Sequence, residues 1–196
     1  MKSIMLLKQN RAREGMAVSI PFLILISLLL GGERASRAEY NAEGAYSIKA
    51  AFLYNFAKFA EWPSSAFNHF SDPLVICVLG ADPFGNALGE LEGEPVGGRI
   101  IEVQRARTIE ELGRCHILFI SNTLTADARG ICRALSKRPI LTVSDIERFA
   151  QLGGMIGLTI VDKRIRFDIN LRAAEHAGLK LNPQLLRLAT IVESNL

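Results

Sequence analysis

The chain has 196 residues, of which 49% are hydrophobic and 22% are charged, and its formal net charge is +3. The positive charge lies at the start, because residues 1–38 carry six of the 23 Lys and Arg residues and two of the 20 Asp and Glu residues. The other 17 basic and 18 acidic residues sum to about −1, which excludes the general basic field of a nucleic-acid-binding protein.

Residues 1–38 are predicted to form a signal peptide and export leader. A basic stretch precedes the uninterrupted apolar run 16–30, which is the layout of a secretory leader. A helix needs about 20 apolar residues to cross a bilayer, so this shorter run favours a removed leader over an uncleaved membrane anchor. The sequence therefore predicts a periplasmic protein.

Small residues follow the apolar run at Ser36 and Ala38, where a signal peptidase requires them. We predict cleavage after Ala38, with Met16 as an alternative start to Met1. Residues 39–196 then form a single domain, which is long enough for one hydrophobic core.

The first predicted element of this domain is an amphipathic helix from Tyr46 to Trp62. Its apolar residues recur at helical spacing, and Pro63 disfavours helical geometry in the residue before it. Core packing is the commoner use of the aromatic rings on this helix, and a ligand-binding aromatic cluster is the alternative.

Compact apolar runs predict buried strands at 73–80, 115–121 and 139–144, and a more alternating segment predicts a further strand at 99–106. The predicted helices between them cover 82–91 and 125–137, with a short turn near 108–112. This alternation predicts an α/β domain with a largely parallel or mixed central sheet flanked by helices.

The C-terminal third is predicted to begin with an antiparallel hairpin formed by residues 153–162 and 163–170. In its second strand the apolar and polar side chains alternate, so one face is expected in the core and the other in solvent. The apolar set is Ile165, Phe167 and Ile169, and the polar set is Arg164, Arg166, Asp168 and Asn170.

Two short helices are predicted after the hairpin. Asn170 is suited to cap a helix over 171–177, and Gly178 is suited to end it. A last helix is predicted from Pro183 to Val192, with the proline in its first turn.

The sequence contains no nucleophile-elbow, zinc-protease, Walker or dinucleotide-binding motif. The three histidines, His69, His116 and His176, are not spaced as metal ligands. We therefore expect neither an enzyme nor a cofactor. An alternative function is a periplasmic small-molecule-binding sensor that acts on another signalling enzyme, with a pocket formed by residues 80–85 and 121–122 at the strand ends. A plain strand-to-helix turn capped by Asp82 explains the first of these segments equally simply.

The three cysteines, Cys77, Cys115 and Cys132, all follow the predicted leader. An oxidising compartment favours a disulfide between two of them, and the alternative is three buried thiols that pack as small hydrophobic side chains.

Six segments of the chain, in order and at similar spacing, resemble the YfiR-like family of periplasmic proteins. They are KAAFLYNFAKFAEWP (49–63), PLVICVLGADPFG (73–85), CHILFIS (115–121), PILTVSD (139–145), GGMI (153–156) and IRFDINLRAAEHAGLKL (165–181). The resemblance implies a regulator that represses a membrane-bound diguanylate cyclase. It would bind the periplasmic sensor portion of that inner-membrane enzyme, lower cyclic-di-GMP and so restrain biofilm formation. The resemblance also implies a homodimer.

The resemblance further implies a disulfide between Cys77 and Cys115, which a βα unit can place on neighbouring strands. The second disulfide of the family is unmatched, because Gly157 occupies one expected cysteine position, and Cys132 is then expected to stay unpaired.

Outside the core, the family pattern is densest in the hairpin. This makes Ile156, Asp168 and Asn170 candidates for partner contact, and the alternative is solvated surface with Asn170 acting only as a helix cap.

Overall fold

The predicted N-terminal amphipathic helix is present as α1, residues 44–59, in the computed structural model, which describes residues 44–162 and 164–194. Leu53 and Phe56 on its inner face are fully buried. The helix ends before Pro63, as expected, but the chain already becomes the strand β1 (Ala60–Glu61). The predicted leader and its cleavage site at Ala38 lie outside the described residues.

Eight strands form the central sheet, and all of them except β3 and β10 follow the predicted strands closely. They are β2 (Leu74–Leu79), β3 (Pro95–Val96), β4 (Arg99–Ala106), β5 (Ile117–Ile120), β6 (Leu141–Ser144), β7 (Ile156–Val161), β8 (Arg164–Ile169) and β10 (Thr190–Ile191). The other elements are β9 (Lys180–Leu181) and the helices α2 (Ala128–Leu135), α3 (Leu171–His176) and α4 (Pro183–Leu186).

The strand order in the sheet is β10-β8-β7-β6-β5-β2-β4-β3. Strands β4, β2, β5, β6 and β7 run parallel, and β8 pairs antiparallel with β7 as the predicted hairpin. The predicted α/β class with a mixed sheet is thus confirmed. After β2 the chain forms β3 and β4 on one side of β2, and it then crosses over to form β5 on the other side. The strand order therefore reverses between β2 and β5.

Each face of the sheet has its own core. On one face α1 packs against the sheet, and the Phe167 ring lies 5.8 Å from the Phe52 ring and 5.5 Å from the Phe56 ring. On the other face α2 contributes Ile131 and Leu135 to a second cluster. Two-sided burial explains why β2 and β5 are apolar throughout rather than alternating.

Two predicted helices were wrong in extent. Residues 82–91 form turns and a short 3-10 helix (Gly89–Leu91), because Gly85 has a left-handed backbone (φ 56°) that ends any helix begun at Asp82. The last helix stops at Leu186, and the β-branched residues after it form β10 instead. Strand β10 pairs in parallel with β8, and the Val192 N–H donates to the Ile169 carbonyl at 2.9 Å.

His116 is buried just before β5, where it joins two segments. Its Nδ1 accepts a hydrogen bond from the Val75 N–H at 2.9 Å, and its Nε2 lies 3.1 Å from the Ala66 carbonyl. These partners fit a neutral ring with its proton on Nε2. Burial lowers the pKa of His116 below its usual value of 6.5.

We expect His116 to make the protein acid-sensitive. Because folding lowers the pKa of His116, the neutral ring contributes its full stabilisation above about pH 6.5. This stabilisation is lost as the pH falls through the folded pKa, and the free energy of unfolding then decreases by at most about 1.4 kcal/mol per pH unit. Urea unfolding at pH 7 and pH 5 should show a smaller loss for His116→Gln than for the wild type. The exposed-residue control His69→Gln should behave as the wild type, and equal pH slopes for all three proteins would contradict the prediction.

Candidate functional site

The outer face of the β7–β8 hairpin is only partly covered by the rest of the domain. The loop after β6 packs over Gly157, where an added Cβ would lie 3.4 Å from the Ala150 nitrogen. Beyond this point the face is open. It presents Thr159, Val161, Arg164 and Arg166, which are half-buried or exposed. This open polar face at one side of the sheet is suited to contact a partner protein.

The three partner-contact candidates have different surroundings. Ile156 and Asn170 are fully buried, and only Asp168 is partly exposed. The expectation that Asn170 faces solvent was therefore wrong. Its amide donates to the Ala150 carbonyl and accepts from the Ala173 N–H, both at 3.1 Å, so it caps α3 and holds the preceding loop. Direct partner contact remains a prediction for Asp168 alone.

A cleft between α2 and α3 adjoins this face, and we call it the α2–α3 cleft. Its volume is about 620 Å³. It is lined by Cys132, Arg133, Ser136, Gly153, Asn170, Arg172, Ala173, Glu175, His176 and Ser194. Most of these side chains are polar, and two of them are arginines. Sequence reasoning missed this cleft, because its residues come from four separate segments.

The pocket expected at the strand ends has a different form. An added Cβ on Gly80 would lie 3.0 Å from Thr123 Oγ1, so the loops after β2 and β5 are already in contact there. A cavity of about 540 Å³ is nevertheless lined by Gly80, Ala81 and Asp82 of the first predicted segment, together with residues at and after the end of β4, whereas residues 121–122 do not line it. Asp82 accepts from the Phe84 N–H at 2.8 Å and pairs with Arg105 at 2.6 Å. Asp82 therefore shapes a turn rather than capping a helix.

A buried ion pair lies near the same edge of the sheet. Lys49 Nζ lies 2.5 Å from Asp145 Oδ2, and their side chains are 7% and 9% exposed. The Tyr46 hydroxyl donates to the same carboxylate oxygen at 2.7 Å, and burial and the carboxylate raise its pKa. Sequence reasoning missed this cluster. One signal was available, since Lys49 lies four residues before the core residue Leu53 on α1.

The three cysteines are free, buried thiols in the structure. Cys77 and Cys115 lie in the same core cluster on the α2 side of the sheet. Burial and then a hydrogen bond with Cys77 raise the pKa of the Cys115 thiol. Two neighbouring thiols in this position are compatible with the disulfide that the family resemblance implies, which stays a prediction.

Cys132 should react slowly in the folded protein. Burial raises the pKa of its thiol to about 12, so the reactive thiolate at pH 8 is about 1,000-fold scarcer than for a thiol of pKa 9. Alkylation with iodoacetamide, followed by peptide mass spectrometry, should label Cys132 only after unfolding in urea. Labelling in the native protein at the rate of a free cysteine would contradict this.

Neither a metal centre nor a membrane span is found in the residues that the structure describes. Across residues 44–162 and 164–194, the His, Cys, Asp and Glu side chains form no group of three or more suited to a metal ion. Over the same ranges, no helix is both long and apolar enough to cross a bilayer.

Together these features define a small α/β protein with a mixed sheet, an open hairpin face and an adjoining polar cleft. Comparison with protein families gives a more particular assignment. A model of the YfiR/HmsC-like family matches residues 46–190, which is most of the chain. The chain belongs to this family. The membership confirms the resemblance carried by the six sequence segments and supports a periplasmic regulator of cyclic-di-GMP signalling.

Proposed function

We propose that this protein represses a membrane-bound diguanylate cyclase by binding the periplasmic sensor portion of that enzyme. The observation that carries the proposal is the family match over residues 46–190. Under this proposal the protein is not an enzyme, and cyclic-di-GMP is made by the partner. Binding would hold the sensor in its inactive conformation and so lower cyclic-di-GMP and biofilm formation.

The open face of the β7–β8 hairpin is the surface that best suits such a contact. Arg164 and Arg166 are exposed there, and Asp168 lies beside them on the same strand. Arginine is enriched at protein interfaces because its planar group makes several hydrogen bonds and also packs on apolar surface. The hairpin also supplies an ordered backbone, since β8 pairs with β7 along its whole length and with β10 at Asp168 and Ile169.

Charge reversal on this face should abolish repression without unfolding the protein. In a strain that lacks the gene, wild-type protein should lower cyclic-di-GMP, and the Arg164→Glu/Arg166→Glu variant should leave it at the deletion level. Cyclic-di-GMP is measured by mass spectrometry, and circular dichroism of the purified variant checks folding. Arg107→Glu, which changes an exposed arginine just after β4, near the opposite edge of the sheet, is the matched control and should repress normally.

The proposal fails if deletion leaves cyclic-di-GMP unchanged and no cyclase is recovered with the tagged protein. Full repression by the Arg164→Glu/Arg166→Glu variant would instead show that the hairpin face is not part of the interface, and it would leave the proposed repression intact. A neighbouring gene for a membrane protein with a periplasmic sensor and a cyclase domain would identify the partner to test first.

A second function, as a small-molecule sensor, is favoured by the α2–α3 cleft. Its volume of about 620 Å³ is within the usual range for ligand pockets. The two functions are compatible, because a repressor can release its partner when a ligand binds.

A further inference from the structure

Positive charge is unevenly distributed in this nearly neutral domain. Residues 128–144, which include α2, contain four basic residues and no Asp or Glu. By contrast, residues 82–111, which include the edge strands β3 and β4, contain seven acidic and three basic residues. The segment that includes α2 is therefore locally rich in positive charge, although the chain after residue 38 has almost no net charge.

Two basic groups line the α2–α3 cleft. Arg133 comes from α2 and Arg172 from α3, so the cleft brings together arginines from separate segments. Within residues 44–162 and 164–194, neither side chain makes an ion pair or a hydrogen bond. By contrast, Arg105 pairs with Asp82 and Arg114 pairs with Asp72, both at 2.6 Å, and Arg99 donates to three backbone carbonyls.

The remaining lining of the cleft does little to neutralise the two arginines. Glu175 is the one acidic residue among the residues that line the cleft, and it is exposed. Cys132 is a protonated, neutral thiol at physiological pH, because burial raises its pKa to about 12. Asn170 is held by its bonds to Ala150 and Ala173, so the wall that it forms is rigid.

We propose that the α2–α3 cleft binds a small molecule that carries an oxyanion group, either a phosphate or a carboxylate. The guanidinium groups of Arg133 and Arg172 would each make charge-assisted hydrogen bonds with the oxyanion. The planar fork of arginine donors matches both groups, which is why arginine is preferred where such anions are recognised. A cleft of about 620 Å³ also accommodates the rest of a metabolite-sized ligand.

The test is isothermal titration calorimetry of the full chain with inorganic phosphate and with citrate, at constant ionic strength adjusted with sodium chloride. We expect saturable binding of at least one probe. Arg133→Gln and Arg172→Gln should each weaken binding by about tenfold or more, as expected for the loss of charge-assisted hydrogen bonds. The control Arg187→Gln removes an exposed arginine outside the cleft and should bind as the wild type.

The two probes separate the sources of the oxyanion. Binding of phosphate alone assigns a phosphorylated ligand, binding of citrate alone assigns a carboxylate, and binding of both assigns a general oxyanion site. In each case the backbone amides of Gly153 and Ala173 should shift in nitrogen-15 NMR spectra.

The proposal is overturned if neither anion binds saturably, if the wild type and the Arg133→Gln/Arg172→Gln variant bind with equal affinity, or if Arg187→Gln weakens binding equally. It is also overturned by binding of a poly-glutamate peptide without binding of either small anion. The last result would assign the cleft to an acidic segment of a partner protein. The experiment uses no cyclase, so its outcome is independent of the proposed repression.

Discussion

Replacing Lys49 with Met should lower the free energy of unfolding by about 3–5 kcal/mol, the usual cost of removing one partner of a buried ion pair. The loss is large because Asp145 would keep a buried charge with only the Tyr46 hydroxyl beside it. The Lys49 ammonium also lies 3.9 Å from the centre of the Tyr46 ring, and this contact would be lost as well. Urea unfolding followed by circular dichroism measures the change.

Two further variants give this prediction its controls. Lys58→Met removes an exposed lysine from the same helix and should change stability by less than about 1 kcal/mol. Lys49→Met/Asp145→Leu removes both charges and should recover most of the lost stability, since apolar replacements of a buried pair are often neutral. A double variant as unstable as Lys49→Met would show that packing, rather than the unpaired charge, causes the loss.

Protein recovered from the periplasm should contain a Cys77–Cys115 disulfide. Closing a loop of this length stabilises a domain by roughly 3–4 kcal/mol on the chain-entropy model, less any strain. Cys115 lies two residues before β5 begins, outside the regular strand pairing, so its backbone can adjust to form the bond. Mass spectrometry with and without reduction should find one bridge, and reduction should lower the free energy of unfolding by roughly 3–4 kcal/mol.

Each cysteine variant has a distinct expected result. Cys132→Ala should keep the bridge and most of the stability gained on oxidation. Cys77→Ala should lose the bridge and make stability independent of reducing agent. Three free thiols in protein isolated from the periplasm would rule out the disulfide.

The sheet was predictable from sequence because its strands are buried on both faces. The runs at 73–80, 115–121 and 139–144 are mostly apolar and do not alternate, which is the pattern of strands covered on both faces. The hairpin was predictable because its two halves are separated by almost no residues. Local signals of this kind do not depend on distant partners.

The errors arose where tertiary pairing overrides local preference. Residues 187–192 have an apolar pattern compatible with a helix, but the edge of β8 offers hydrogen bonds that a strand can use. Asn170 follows the alternation of β8 and was expected in solvent, whereas the loop after β6 covers it. The Lys49–Asp145 pair joins residues 96 positions apart, and no local pattern connects them.

Strand β10 also affects how the domain avoids self-association. An open strand edge recruits strands from other molecules, and short edge strands reduce this risk. Here the two residues Thr190 and Ile191, with the bond from Val192 to Ile169, cover the outer edge of β8 at Asp168 and Ile169. Strand addition is thereby blocked at this end of β8. In the part of the chain that the structure describes, residues 164–167 have no strand partner on that edge, so the backbone beside Arg164 and Arg166 is available for pairing with a strand of a partner.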